Sequence, residues 1–299
     1  MDLDAAEEDP SLEIAPYFDH LLQRLEMGDP IATVAFGRHV HWGYWPDPAR
    51  AVGSPEDYAE AAERLCQRMC DVAGIANGMR VLDVGCGFGG AIASLNERFF
   101  DLELVGLNID SRQLERAVET IHATNRNRIE FVHGDACQMN MRAASFDVIL
   151  AVECIFHFAS RDAFFLRAAA ALKPGGRLTL SDFVPAQESL ERLQQFEMAA
   201  GDSAQQTFGQ VGLDCPVERY RELAANQGLV LEHIEDITHQ TMPSYPFLRS
   251  DTRHRCDLGG ARVHLRAISR LESACLRGVL KYLVLSFSRS TDGDGGDAI

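Results

Sequence analysis

The sequence is short of positive charge. Its 28 lysine and arginine residues stand against 44 aspartate and glutamate residues, which gives a formal net charge of −16. Proteins that bind nucleic acids usually present a basic surface, because lysine and arginine neutralise phosphates. We therefore expect no nucleic-acid partner, and the same acidic surface should repel anionic lipids.

The sequence also lacks an apolar run long enough for a membrane span, which needs about 18 residues. Its first ten residues, MDLDAAEEDP, contain neither a basic nor an apolar segment, so they do not resemble a secretory signal. The eight cysteines form no C-x-x-C pair and have no histidines at metal-ligand spacing. We expect a cytoplasmic protein with buried, reduced thiols, no membrane span and no metal site.

What the sequence does contain is a regular alternation of apolar runs and helical patterns. Hydrophobic residues make up 46% of the 299, enough to bury a substantial core. The alternation predicts an α/β fold with a doubly wound, Rossmann-like sheet that has helices on both faces. Seven strands are predicted, at residues 80–85, 102–109, 128–134, 146–153, 177–184, 229–238 and 282–289.

The pattern divides the chain into five parts. Residues 1–75 form an N-terminal helical arm, in which 55–73 has a clear helical period, and 76–184 form the main sheet core. Residues 185–228 are predicted as a helical insertion, 229–290 as the last strands with a second inserted segment, and 291–299 as a tail. Long insertions at one end of a sheet are candidate lids over a binding site.

The segment VLDVGCGFGG, residues 81–90, follows a predicted strand and opens a helix. Its glycines permit a tight turn and a close approach of the backbone to a ligand, and the helix N-terminus favours a negative group. It lacks the G-K-[ST] ending of a phosphate-binding P-loop and the third glycine of G-x-G-x-x-G. These absences argue against nucleoside triphosphate and standard NAD sites.

The same segment resembles the first motif of the class I S-adenosylmethionine (SAM)-dependent methyltransferases. Further segments are similar to later motifs of that family and follow in the same order: LVGLNID, FVHGDACQM, FDVILAVECIFHF and LKPGGRLTLSDF. The resemblance covers residues 80–184 and weakens towards residue 285. It implies a SAM-binding core at 76–184 and a methyltransferase of a small molecule. The residues it implies for SAM are Asp83, Gly85, Cys86, Gly87, Ile109, Asp135, Ala136 and Val152, with Glu153 near the sulfonium.

The ribose site departs from the common family pattern. Many members end the second strand with an acidic residue that binds the ribose hydroxyls, whereas this sequence has Asn108. A subset resembling cyclopropane synthases has a neutral residue there and a glutamine five positions later, which matches Gln113. We assign the ribose to Asn108 and Gln113. The alternative is Asp110, whose position also suits the N-cap of the following helix.

An aromatic segment, HVHWGYWPD at residues 39–47, precedes the sheet. Its GYW resembles the N-terminal segment that closes over SAM in small-molecule methyltransferases. An aromatic face attracts a sulfonium through cation–π interaction. Tyr44 is the predicted contact with SAM, and His39 and His41 are read as ordinary packing residues.

Three polar residues lie at or just after the ends of the fourth and fifth predicted strands: Glu153, His157 and Asp182. The carboxyl ends of parallel strands border the ligand crevice of a doubly wound sheet. An imidazole titrates near neutral pH and suits a general base, and an acid can orient it. The resemblance to sugar O-methyltransferases supports His157 as base with Asp182 as its partner. Glu153 is read chiefly as a cofactor-side residue.

The predicted reaction is methyl transfer to a hydroxyl of a small natural product or sugar, as in secondary metabolism. One alternative is C-methylation of an alkene such as a prenyl diphosphate, with Arg249, Arg253 and Arg255 binding the diphosphate. N-methylation and a non-catalytic SAM-binding protein are weaker alternatives. The acceptor and the oligomeric state stay open, a homo-oligomer included.

Overall fold

The computed structural model describes residues 15–191, 193, 203–253 and 258–291. Seven strands form one sheet. They are β1 Arg80–Val84, β2 Glu103–Asn108, β3 Arg128–His133, β4 Phe146–Val152, β5 Leu172–Pro185, β6 Leu229–Asp236 and β7 Leu280–Arg289. Their spatial order is β3-β2-β1-β4-β5-β7-β6, so the seven-stranded, doubly wound α/β fold is confirmed. The predicted tail lies outside the described residues apart from Thr291.

Helices cover the sheet and one of its ends. Three precede the sheet: α1 Tyr17–Glu26, α2 Pro30–Phe36 and α3 Pro55–Ala73. Three connect its strands: α4 Gly90–Arg98, α5 Ser111–Thr120 and α6 Arg161–Ala171. The others are α7 Ser203–Phe208, α8 Val217–Ala225, α9 Thr238–Thr241, α10 Ser244–Arg253 and α11 Leu258–Leu276, with short 3₁₀ turns at Pro48–Arg50, Ile155–His157 and Gln187–Ser189. Within the described ranges, no helix combines the length and apolarity of a membrane span.

The helix α3 has the bounds that its sequence period predicts. The hydroxyl of Ser54 accepts a hydrogen bond from the N–H of Asp57, and Pro55 occupies the first turn. Gly74 ends the helix with a left-handed φ of 68°. Its buried face, which includes Leu65 and Met69, packs the arm onto the core.

The strand β5 is longer than predicted, and β7 runs opposite to its neighbours. The predicted fifth strand begins at residue 177, but β5 already begins at Leu172 and runs through the Pro-Gly-Gly segment after α6. The last strand, β7, inserts antiparallel between β5 and β6. The inner strands on the other side of β5 are parallel: β1 pairs with β2 and with β4, and β4 pairs with β5. The carboxyl ends of these four strands therefore meet at one edge of the sheet.

A buried ion pair connects α1 of the N-terminal arm to α10. The guanidinium of Arg24 in α1 donates two hydrogen bonds, of 2.8 and 2.7 Å, to the carboxylate of Asp251 in α10. A third bond, of 2.8 Å, joins Arg24 to Asp29 at the start of α2. Both Arg24 and Asp251 are buried, so loss of one partner would leave a buried charge uncompensated.

Candidate active site

Two cavities meet at the carboxyl ends of the inner strands. The first, of about 370 Å³, is called here the polar cavity and follows β1, β2 and β4. The second, of about 140 Å³, is called the apolar cavity and lies under α10 and α11. Of the described residues, four line both: Tyr17, Val40, Glu153 and His157. These four mark the junction through which two bound molecules could react.

The glycine loop forms the floor of the polar cavity. Gly85, Gly87 and Gly89 all have left-handed φ values, of 65°, 55° and 76°. A Cβ on Gly85 would lie 2.7 Å from the Cβ of Cys154, whereas one on Gly87 would find only the side-chain oxygen of Gln113, at 3.7 Å. Gly85 is therefore required by both backbone conformation and packing. Cys86, between the two glycines, also lines the cavity.

Asp83 stands at the end of β1 and lines the same cavity. Its side chain is buried, and none of the hydrogen bonds among the described residues involves its carboxylate. Burial raises the pKa of Asp83 to about 7. A carboxylate held in this way is suited to receive a positively charged or hydrogen-bond-donating part of a ligand.

At the end of β2, two amides are connected to each other. Asn108 donates to the side-chain oxygen of Gln113 at 3.0 Å, and Gln113 donates to Asp110 at 3.2 Å. Asp110 caps α5 by accepting from the N–H of Arg112, and it also pairs with the Arg112 guanidinium at 2.8 Å. The N-cap position expected for Asp110 is thus observed. Asn108, Gln113 and Asp110 all line the polar cavity.

The opposite wall of the polar cavity follows β3 and β4. Asp135 accepts hydrogen bonds from the N–H of Cys137 and the amide of Gln138, which fix its carboxylate in a tight turn. Ala136, Ile109 and Val152 complete this wall. All of the residues that the sequence predicts to bind SAM therefore line one cavity, with the exception of Tyr44.

The structure does not bring Tyr44 to either cavity. Its N–H donates to the carbonyl of Ala61 in α3, and its ring packs with the apolar cluster around Trp45. The arm residues that line the polar cavity come just before it, at Arg38, His39, Val40 and His41. The sequence did not lead us to predict that these two buried histidines line the cavity. Their position next to the segment predicted to close over SAM could have indicated it.

The apolar cavity collects side chains that are distant in the sequence. Aromatic and aliphatic groups from the N-terminal arm, β5 and the helices α10 and α11 form most of its surface. They include Phe36, Trp42, Phe156, Phe183, Leu213, Leu248, Ile268 and Leu271. Polar groups are few, and Glu153 and His157 stand where this cavity opens into the polar one. Such a lining fits a largely apolar molecule with one polar group at the junction.

Glu153 follows β4 with a left-handed φ of 52°. Its Oε2 accepts hydrogen bonds from the N–H of Trp42 at 3.0 Å and from the hydroxyl of Tyr282 at 2.5 Å. Its own N–H donates to Ser181 at 3.0 Å. Burial raises the pKa of Glu153 to about 8, although the two donors favour its charged form. A strained backbone and a shifted pKa at a cavity junction are typical of a functional residue.

Within the part of the chain that the structure describes, no carboxylate pairs with His157. Its Nδ1 lies 3.4 Å from the carbonyl oxygen of Gln210, and the ring packs edge-on against Phe156. Burial lowers the pKa of His157 to about 4, so the ring is neutral at neutral pH. With Nδ1–H directed at the carbonyl, Nε2 carries the lone pair that can accept a proton.

Asp182 is not part of this arrangement. It is fully buried, accepts a hydrogen bond of 2.5 Å from the hydroxyl of Tyr220 and pairs with Arg161 at 3.0 Å. Its neighbour Phe183 lines the apolar cavity, and successive residues of a strand point to opposite faces. The structure therefore does not form the expected pair of His157 with Asp182.

The expected basic site for a diphosphate is not formed by Arg249. This residue lies in α10 and pairs with Glu272 of α11, and it lines neither cavity. Arg255 lies outside the described residues, as does the side chain of Arg253.

Comparison with known proteins agrees with this geometry. A family model described as a methyltransferase domain matches residues 82–180. The chain is 31% identical over 237 residues to methyltransferase GfsG of Streptomyces halstedii, a match that covers 79% of each chain. It is also 31% identical over 216 residues to 27-O-demethylrifamycin SV methyltransferase of Amycolatopsis mediterranei, covering 70% of this chain and 73% of the other.

The chain belongs to the class I SAM-dependent methyltransferases. Among solved structures, the mycolic acid cyclopropane synthase CmaA1 bound to S-adenosylhomocysteine (SAH) and CTAB is similar in fold. Its TM-score is 0.73 at 15% identity, with 92% of this chain and 99% of that chain covered. The recognised motifs and the seven-stranded sheet are thus those of a methyltransferase, and its cofactor is SAM.

The polar cavity has the chemistry that SAM requires. The unbonded carboxylate of Asp83 suits an ammonium group, and the amides of Asn108 and Gln113 suit hydroxyl groups. The glycine loop offers a backbone that a ligand can approach closely. SAM supplies a methyl group on a positively charged sulfur, which is already a good leaving group.

Proposed function

We propose that this methyltransferase transfers the methyl group of SAM to a hydroxyl of a small, largely apolar natural product. The observation that carries the proposal is the junction of the two cavities, where Glu153 and His157 lie next to an acceptor space with a mostly apolar lining. The relative named 27-O-demethylrifamycin SV methyltransferase supports an oxygen acceptor. The apolar lining favours a weakly polar natural product over a free sugar.

In this proposal, His157 accepts the proton that the hydroxyl loses. A neutral imidazole with its Nε2 lone pair free suits this role, because its Nδ1 faces the Gln210 carbonyl. Burial in the cavity excludes water and holds the hydroxyl close to the donor. The carbonyl takes over the orienting role that the sequence suggested for Asp182.

Glu153 is proposed to act on the donor side of the junction. Its charged form, favoured by the N–H of Trp42 and the hydroxyl of Tyr282, would be further stabilised next to a sulfonium or an ammonium. Asp83, Asn108, Gln113 and the glycine loop are proposed to hold the remaining parts of SAM, and Asp135 its adenine side.

C-methylation of a prenyl diphosphate is the alternative. It requires basic side chains at the acceptor site, and Arg249 is instead paired with Glu272 outside the apolar cavity. Arg270 does line that cavity, so the alternative has a candidate cation there. Most of the other lining residues are aliphatic or aromatic, which favours a largely apolar molecule with a hydroxyl over a diphosphate.

A labelling assay tests the choice of acceptor. The protein is incubated with SAM carrying a tritiated methyl group and a panel of hydroxylated, largely apolar natural products, each paired with its own O-methylated form. A prenyl diphosphate is included as the alternative. We expect label in hydroxylated members and none in their O-methylated counterparts. Label in the prenyl diphosphate alone would contradict the proposal.

A further inference from the structure

The loop between α7 and α8, residues 209–216, borders both cavities. Gln210 lines the polar cavity, and Val211 and Leu213 line the apolar one. The carbonyl oxygen of Gln210 is also the group that faces Nδ1 of His157. All residues of this loop are described, and none belongs to a helix or strand. The position of the Gln210 carbonyl therefore depends on the contacts that hold the loop.

Gly212 is the point at which this loop is anchored. Its N–H donates a hydrogen bond of 2.8 Å to the carbonyl of Phe156, the residue before His157. Its own carbonyl accepts a hydrogen bond of 2.6 Å from the guanidinium of Arg161. The fit is close, because a Cβ on Gly212 would lie 2.8 Å from Nη1 of Arg161. Both polar groups of one backbone position, two residues after Gln210, thus hold the loop beside His157.

Arg161, the first residue of α6, is itself fixed by two further contacts. Its Nη2, which binds Gly212, also donates to Asp182 at 3.0 Å, and its Nε donates to the hydroxyl of Tyr220 at 3.2 Å. The Tyr220 hydroxyl donates to the same oxygen of Asp182 at 2.5 Å. The side chain of Arg161 is 11% exposed and that of Asp182 is fully buried, so the guanidinium is a paired, buried charge with a rigid planar geometry. It connects α6 to β5, to α8 and to the loop.

We propose that Arg161 is a positioning residue for methyl transfer. By holding the carbonyl of Gly212, it keeps the carbonyl of Gln210 against His157 and so fixes the direction of the imidazole. The inference rests on the proposed function, in which His157 accepts the proton of the hydroxyl. Arg161 lines neither cavity, so it acts through the loop and not on a bound molecule. Asp182 then influences the imidazole through Arg161 instead of as its direct partner.

A double-mutant cycle tests this role, with kcat measured on the acceptor that takes up the most label in the methyl-transfer assay. Arg161→Met should lower kcat about tenfold, because a small displacement of a catalytic group is enough for such a loss. SAH affinity should stay within about twofold of the wild type. In the His157→Ala background, the same substitution should change kcat by less than about twofold, since the group it positions is absent.

The cycle separates the failure of this inference from that of the proposed function. An unchanged kcat in Arg161→Met, or a loss of about tenfold in both backgrounds, would overturn the positioning role, because Arg161 would then act through packing alone. A kcat near that of the wild type in His157→Ala would instead overturn the assignment of His157 as the proton acceptor.

Arg219→Met is the matched control. Arg219 also joins α8 to α6, through its pair with Asp162 at 2.8 Å, and it lines neither cavity. Its kcat should equal that of the wild type, and a loss as large as in Arg161→Met would mean that the contact between the two helices matters instead of the loop. Circular dichroism identifies a variant that fails to fold. Gly212→Ala, whose Cβ would displace the loop from Arg161, then takes the place of Arg161→Met in the cycle.

Nitrogen-15 NMR of the free protein tests the same role without an acceptor. At neutral pH, Nδ1 of His157 should carry the hydrogen in the wild type, because it faces the Gln210 carbonyl. In Arg161→Met the shifts of the two ring nitrogens should move towards each other, because a displaced carbonyl no longer selects one tautomer. His157→Ala assigns the resonances. Shifts identical to those of the wild type in the folded variant would overturn the positioning role.

Discussion

The two cavities differ in how the chain builds them. Most of the polar cavity comes from short segments that directly follow β1, β2, β3 and β4, so each contribution is local in the sequence. The apolar cavity instead combines the arm, the end of β5 and the helices α10 and α11, which lie far apart in the chain. The polar cavity can therefore be recognised from sequence motifs. The apolar cavity depends on packing between helices that are distant in the chain, so no motif marks it.

The largest expected effect is on the donor side, at Gly85. In Gly85→Ala, the added Cβ would collide with Cys154 and would strain a backbone with φ of 65°. We expect SAH affinity, measured by calorimetry, to fall roughly a hundredfold, or about 2.7 kcal/mol. Gly78→Ala is the matched control, because Gly78 has φ of 79° but nothing within 4 Å. Equal SAH affinity in the two variants would mean that the loop geometry does not determine binding.

The next effect is expected at the junction of the cavities, where substitution of His157 should lower turnover but leave SAH binding unchanged. Removing a general base typically costs about 10²-fold or more in rate. His157→Ala should lower kcat by about that factor on the best acceptor found by methyl labelling, with SAH affinity within about twofold of wild type. His239→Ala serves as the exposed control. Turnover near that of the wild type would exclude His157 as the proton acceptor.

Asp83 should show opposite effects on binding and stability. Asp83→Asn removes the carboxylate proposed for the donor, so SAH affinity should fall about tenfold. Because folding raises the pKa of Asp83 from 3.8 to about 7, the wild type loses stability as pH rises through that range. The ligand-free variant should be more stable at pH 8 by roughly 1 to 4 kcal/mol, and equally stable near pH 3, below both pKa values.

Urea unfolding at the two pH values measures this difference. A variant that is less stable than the wild type at pH 8 would mean that the Asp83 carboxylate is stabilised by its surroundings in the free protein. The binding result would then need a structural explanation instead of an electrostatic one.

The smallest expected effect lies in the apolar cavity. Leu271→Trp narrows this cavity from α11, so the KM for the acceptor should rise about threefold to tenfold, since one or two buried methylenes are worth that much. SAH affinity should not change. Leu276→Trp on the same helix is the control, because Leu276 is 70% exposed. A loss of SAH affinity in Leu271→Trp alone would mean that the two cavities are not independent.

The fold was predictable because its signals are local. The helical period of residues 55–73 and the apolar runs of β1 to β4 each carry their own pattern, and caps such as Ser54 and Gly74 mark the ends. The Pro-Gly-Gly after α6 gave a misleading signal, because it reads as a break while β5 runs through it. The antiparallel direction of β7 has no local signature at all.

The candidate site was predictable to a different degree on its two sides. Because the glycine loop directly follows β1, chain connectivity alone places Asp83 and Gly85 in the polar cavity. Asp182 also lies near the carboxyl end of a buried strand, yet its side chain faces Tyr220 and Arg161, because its neighbour Phe183 occupies the face towards the cavity. Tyr44 and His39 lie five residues apart in one aromatic segment, and only packing against α3 decides which of them reaches the cavity.

By itself, the sequence determined the alternating α/β pattern, the glycine loop and the carboxyl edge at which the site lies, since these follow from residue spacing and strand direction. Only the tertiary structure decided which polar groups face each other. It paired Asp182 with Arg161, gave His157 a carbonyl and joined Glu153 to Tyr282, because side-chain partners are set by distances between elements that the order of residues does not specify.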